Sequence, residues 1–204
     1  MTQRAAGFRM RAHISRNKCA RMLCSVEGAQ LVEFALTIPM LLVLVVGILD
    51  FGGAYNLKQK LNNAAREGTR FAITESCADC TQSAPATTQA VENSIVNYLT
   101  NAGVDVCGLT GSTTPSVGPG TFASWTFTSP STCTGTGANL TIEIDRGITF
   151  VNSSGITVGV SEVIINRPYA WMFNRLIGLL VPGASYLSVT TISSNAIMEN
   201  LPGT

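Results

Sequence analysis

The chain has 204 residues, enough for one ordinary domain with its own core, and a formal net charge of +1. That near-neutral total hides a segregation. Residues 1–26 carry six basic residues (Arg4, Arg9, Arg11, Arg16, Lys18, Arg21) and no acid, whereas from Phe71 onward eight acids meet only Arg146, Arg167 and Arg175. A basic arm also suits a nucleic-acid binder, but this one directly precedes a long apolar run. It therefore reads as a membrane orientation signal, and nucleic acid is not expected as a partner.

The apolar run Phe34–Leu49 is 16 residues long, interrupted only by Thr37, Pro39 and Gly47. About 20 helical residues cross the hydrocarbon core. The segment from Ala29 to Ala54 supplies that length if Glu33 and Asp50 lie near the two interfaces. The Arg-rich side stays in the cytoplasm, which sends residues from about Tyr55 outward; Lys58 and Lys60 oppose this orientation but are outnumbered. The later stretch "LIGLLV" (Leu176–Val181) is too short to span.

Beyond Gly52-Gly53 the helical pattern continues. Leu57, Leu61, Ala64, Ala65, Gly68 and Ala72 form a stripe, while Lys58, Lys60, Asn63, Arg66 and Glu67 fall largely elsewhere around the cylinder. One helix over about Ala29–Ile73 is expected, apolar all round in its first half and amphipathic in its second, with its stripe buried against the domain that follows. Pro39 removes one backbone hydrogen bond and predicts a kink. A second helix is expected in "TTQAVENSIVNYLTNAG", started by Thr87 or Thr88 as a cap. Its face is Val91, Ile95, Tyr98, Leu99 and Ala102, and Gly103 forms the exit.

Residues 108–138 are rich in Gly, Ser, Thr and Pro and read as exposed loop, with one strand where Ala123, Trp125 and Phe127 alternate with polar residues. Leu140, Ile142 and Ile144 alternate with Thr141, Glu143 and Asp145, a further strand; Ile156–Ile165 makes another, and Tyr186–Met198 a last one. "AWMFNRLIGLL" reads as a short helix. The expected fold class is α+β: a long N-terminal transmembrane and amphipathic helix, then a small, mostly antiparallel sheet with one or two short helices.

Cys19 and Cys24 lie in the basic head, and Cys77, Cys80, Cys107 and Cys133 lie beyond the membrane, where disulfides form. Four cysteines permit three pairings. Cys77–Cys80 and Cys107–Cys133 are favoured, because the first is local and the second closes the looser region. A redox or zinc role for Cys77-x-x-Cys80 lacks a second C-x-x-C and an external histidine, since the lone His13 is in the head.

"GAQLVEFALTIPMLLVLVVGILDFG", followed by "LNNAAREGTRFA", resembles the TadE-like proteins of the tight-adherence (Tad, or Flp) pilus system over about residues 28–72. A weaker likeness lies in "LSVTTISSNAIMEN" near the end, and the middle of the chain does not align. The resemblance implies a minor pilin or pseudopilin, acting in pilus assembly, surface adhesion or biofilm formation. It also implies cutting by a prepilin peptidase after Gly28, so that the mature chain starts at Ala29, has Glu33 as its fifth residue and carries the aromatic Phe34 next. Its implied partners are that peptidase, other Tad minor pilins and assembly proteins, and the lipid bilayer. The resulting layout is a leader over 1–28, a membrane helix over 29–54, its extracytoplasmic continuation over 55–76 and an outer α+β domain over 77–204. The implied location is the bacterial inner membrane, single-pass, with a cytoplasmic N-terminus. Two alternatives stand beside this layout: an uncleaved signal anchor, and a secreted domain cut by signal peptidase after Ala54.

In the pilin scheme Glu33 pairs with the new amine of Ala29, its own or a neighbour's, which offsets the cost of a carboxylate in an apolar environment. Asp50-Phe51-Gly52 spells a kinase magnesium tripeptide without any accompanying kinase element, so Asp50 is read only as marking the outer interface. Tyr169, Trp171 and Phe173, flanked by Arg167 and Arg175, suit either a partner or membrane surface or ordinary core packing. Asn139-Leu-Thr and Asn152-Ser-Ser match a glycosylation pattern that a bacterial family makes moot. No nucleophile–base pair, phosphate loop or metal-ligand cluster stands out, so neither catalysis nor a cofactor is expected.

Overall fold

A computed structural model describes residues 26–111, 114–117, 123–151, 153–173 and 189–200. Outside them lie most of the basic head with Cys19 and Cys24, Asn152, Arg175, the "LIGLLV" stretch and all of the expected "AWMFNRLIGLL" helix beyond Phe173. The described elements are α1 (Val26–Thr74), α2 (Ala86–Asn101), β1 (Ser116–Val117), β2 (Ser124–Thr132), β3 (Asn139–Val151), β4 (Thr157–Ala170) and β5 (Val189–Glu199). They form a long helix, a shorter helix and an antiparallel sheet in the order β1-β2-β3-β4-β5, an α+β fold. The chain divides into two compact units, Met1–Val45 and Val46–Thr204.

In the described part of the first unit, α1 runs without interruption through Pro39, and the side chains from Ala29 to Val45 are exposed. In the second unit the same helix buries Leu57, Leu61, Ala64, Ala65, Gly68 and Ala72, the stripe that helical periodicity predicts, and also Thr69.

The sheet's core face is a set of cross-strand ladders. Trp125, Ile144, Val163 and Ala196 follow one another across β2 to β5, as do Phe127, Ile142, Ile165 and Ser194. The large residues of β2–β4 give way to small ones on β5, and there α1 is held by hydrogen bonds. The Lys58 ammonium donates to the Ser193 carbonyl, the Thr69 hydroxyl to the Ala196 carbonyl (3.1 Å), and the Ser194 hydroxyl to the Asn62 side-chain oxygen. Gly68 lies against Ile95 of α2 and Val163 of β4, where a Cβ would stand only 2.5 Å from Ile95 Cγ1. Glycine permits that approach.

Three local details differ from the sequence reading. Helix α2 begins after Pro85, and neither Thr87 nor Thr88 caps it. Instead Asp79, in the preceding loop, accepts the Thr87 N–H (3.0 Å) and hydroxyl (2.6 Å), while the Thr88 hydroxyl donates to the Pro85 carbonyl. At the other end Gly103 (φ +70°) turns the chain with Gly103 N–H to Thr100 O and Val104 N–H to Leu99 O, a Schellman closure.

Strand β2 continues through Pro130 into the stretch read as loop. Its register shifts between Thr128 and Thr132, and side chains take over there: Asn139 Nδ2 donates to Ser129 O, and Ser129 Oγ accepts the Leu140 N–H (3.0 Å). Strand β3 likewise extends past its polar residues to Val151, through a shift between Arg146 and Ile148. That extension makes a ribbon with β4 whose Phe150, Val151 and Ile156 are exposed.

Candidate functional site

Gly28, Ala29, Glu33, Phe34 and Pro39 all lie on α1. Gly28 is half-buried and the other four are exposed. Glu33 stands four residues after Ala29, so both project from one face of the helix a turn apart. The Thr37 hydroxyl donates to the Phe34 carbonyl (3.1 Å), one turn before the position where Pro39 removes an N–H from the ladder. This segment holds an exposed carboxylate within a mostly apolar surface.

The more elaborate constellation forms where α1 leaves its apolar run. Asp50 is only 2% exposed, on the same helix stripe as Leu57 and Leu61. Its Oδ1 accepts the Met172 N–H (3.0 Å) and the Tyr169 hydroxyl (3.3 Å), and its Oδ2 accepts the Phe173 N–H (2.9 Å). The carboxylate thus acts as an acceptor for consecutive backbone amides just beyond β4, where the ladder with β5 has ended. Burial, followed by the neighbouring Asp50 charge and hydrogen bond, raises the Tyr169 phenol above its ordinary pKa, so it remains a donor at neutral pH.

Tyr169 reaches Asp50 by crossing α1 at Gly53. A Cβ there would lie 2.7 Å from the phenolic oxygen. Trp171 then packs beside it, edge-on to Phe51 (centroids 5.4 Å apart) and to Tyr169 (5.2 Å), with its indole N–H on Thr190 Oγ1 (2.8 Å). Tyr169 packs against the core, whereas Trp171 is half-buried and Met172 exposed. Core packing thus accounts for Tyr169.

The structure brings Cys77 together with Cys80 and Cys107 together with Cys133 as disulfides. Cys107 adopts φ +57°, and Asp105 Oδ1 accepts its N–H (2.9 Å). That bond, opposed by burial and assisted by Thr134 and Arg167, sets the Asp105 pKa below the ordinary carboxylate value. Arg146 occupies the core face of β3, and its guanidinium donates to the Glu75 carbonyl; burial lowers its pKa, while Asp79 and Glu75 counteract the shift.

A groove of about 690 Å³ lies beside α1, between Asn56 and Lys60 on the helix and Gly103, Asp105 and Arg167 opposite. Its charges are mixed, and the Arg167 Nε donates to the Asp105 carbonyl (3.1 Å). Among the described residues no group of three or more His, Cys, Asp or Glu is placed to hold a metal ion.

Sequence reasoning missed the role of Asp50. The signal was present: Asp50 stands seven residues before Leu57, so it lies on the buried stripe, where an acid calls for internal donors. Helix α1 is, by length and composition, apolar enough to cross a membrane. No curated protein and no solved structure matches the chain. A family model described as TadE-like protein matches residues 28–70, so the segment from Gly28 along α1 to Arg70 is TadE-like.

Proposed function

We propose that the protein is a minor pilin or pseudopilin-like subunit of a Tad pilus system. The observation that carries this reading is the TadE-like match over residues 28–70, on a helix whose apolar part is exposed and whose amphipathic part is the spine of a folded domain. That combination suits a subunit held in the bilayer before assembly and by helix packing afterwards. Prepilin peptidase cuts after Gly28, and the Ala29 ammonium then lies one turn from Glu33. Pairing of the two, within a subunit or between neighbours, neutralises both charges in an apolar environment. Pro39 bends the helix and aids its packing among other subunits.

The part of the chain from about Tyr55 onward lies outside the inner membrane and contacts other minor subunits and assembly proteins. Two disulfides within it are consistent with an oxidising compartment. The protein works by assembly, not by catalysis.

N-terminal sequencing of the membrane-extracted protein tests this reading. A chain beginning at Ala29 supports it. Met1 makes the protein a permanent anchor, and Tyr55 makes it a secreted domain. Replacing Glu33 by Ala is expected to leave processing intact and prevent incorporation; normal incorporation of that variant refutes the pairing.

A further inference from the structure

We infer that the crossing segment Tyr169–Phe173, together with Phe51 and Tyr55, forms an interfacial seat for the outer leaflet, with Trp171 inserted at headgroup level. This rests on α1 spanning the bilayer as proposed above.

The apolar run ends at Leu49, and Asp50 is the first charged residue after it. At 1.5 Å per residue, Phe51 to Tyr55 cover about 6 Å of helix axis. The interfacial layer on each side of the hydrocarbon core has about the same thickness, roughly 5–7 Å. Those helix positions are not polar. Phe51 is 70% exposed and Tyr55 67% exposed, with bare Gly52 and Gly53 between them. Trp171 lies on Phe51, at the same height along the helix, and the adjoining Met172 is 57% exposed.

An exposed Phe and Met beside a half-buried Trp would be an aggregation hazard in water. At a bilayer interface they are the residues whose amphipathic or apolar bodies suit the boundary. The polar demands of the segment are met internally, since Asp50 takes the Met172 and Phe173 amides and Thr190 takes the indole N–H. Docking at lipid therefore leaves none of these groups unpaired. The carboxylate, buried by the crossing chain, is kept from the apolar layer it adjoins. The occupant is accordingly the lipid interface, not a second protein surface.

The two tryptophans make the idea measurable, because Trp125 is buried in the sheet core at 1% exposure and Trp171 is not. The full-length chain is reconstituted in phosphatidylcholine vesicles containing lipid brominated near either the carbonyl end or the methyl end of the acyl chains. The difference in emission between the native chain and Trp171→Phe isolates Trp171. Shallow bromines are expected to quench most of that difference signal and deep bromines much less, while the Trp125 signal left in the variant is unchanged by either. Flotation on a density gradient reports membrane insertion separately. A chain that floats with the vesicles while its Trp171 signal ignores bromine and is quenched by aqueous iodide overturns the seat alone. A chain that does not float overturns the membrane-spanning reading and the seat with it.

Discussion

Replacing Asp50 by Asn tests whether the crossing segment is held by the carboxylate. The side chain keeps its size and its burial, so packing is preserved. Its two oxygens now take three donors: Met172 N–H and the Tyr169 hydroxyl on Oδ1, and Phe173 N–H on Oδ2. An amide has one oxygen. If it takes the Oδ1 position, its NH₂ meets the Phe173 N–H, and if it takes the other, it meets the Met172 N–H. With the oxygen at the Oδ1 position one charge-assisted hydrogen bond is lost, with it at the Oδ2 position two are, and in either orientation a backbone N–H is left facing another donor.

A bond of that kind contributes about 1.5–3 kcal/mol. Because the segment follows the end of the β4–β5 ladder, the loss should appear as local opening. The expected result is roughly tenfold to a hundredfold faster amide hydrogen exchange at Met172 or Phe173, measured on the full chain in micelles. Ile142 and Ile144 in the sheet core should keep their native rates. Unchanged exchange at both amides would show that Asp50 does not hold the segment, and equal acceleration across the core would show that the effect is not local.

Asp79→Ala removes the acceptor at the start of α2 and should lower stability by about 1 kcal/mol in denaturant titration, against almost no change for Thr88→Ser. The Asp79 pKa is lowered: burial raises it, but the Thr87 hydroxyl and N–H, its own N–H and Arg146 together outweigh that effect. With Asp105 also lowered, both carboxylates contribute stability that is fully present above the unfolded pKa of about 3.9 and is lost as pH falls through their folded values. Acid unfolding of the native chain should therefore set in below about pH 4 and weaken in slope in the Asp79→Asn variant. Reducing Cys107–Cys133, which closes a loop of sequence separation 26, should cost about 3.5 kcal/mol, and Cys77–Cys80, at separation 3, roughly half as much, both read from chemical denaturation of single Cys-pair variants. Gly68→Ala should destabilise by about 1–2 kcal/mol, because its Cβ drives into Ile95. In an Ile95→Ala background the same change should become favourable by up to about 1 kcal/mol through helix propensity, and failure of the sign to reverse would dismiss the packing explanation.

Local periodicity made most of the fold legible, because α1, α2 and the central strands alternate or repeat cleanly: Leu57–Leu61–Ala64, Val91–Ile95–Leu99, Leu140–Ile142–Ile144. What stayed hidden was non-local. The Thr87 N–H at the start of α2 is met by Asp79 of the preceding loop, and neither Thr87 nor Thr88 caps the helix, because it starts at Ala86 and both lie inside it. Strand β2 persists through Pro130 because Ser129 and Asn139 side chains replace ladder bonds that the sequence pattern could not count. The β3–β4 ribbon runs on past the core because a register shift after Arg146 allows pairing to continue without burial.

Asp50 shows why the same sequence signal supports two assignments. In the linear sequence it is the first charge after an apolar run, and an acid in that place marks an interface. In the fold it is also the first residue of the stripe on which the second unit is built. A water-exposed carboxylate there would satisfy the first role but leave the Met172 and Phe173 amides without acceptors. A leucine would satisfy the packing but lose those same bonds. Only a short acid both terminates the apolar stretch and captures the returning chain, while Gly53 opens the space through which Tyr169 reaches it. The end of the apolar run and the attachment point of the crossing segment are therefore set by one residue, and altering Asp50 should disturb both together.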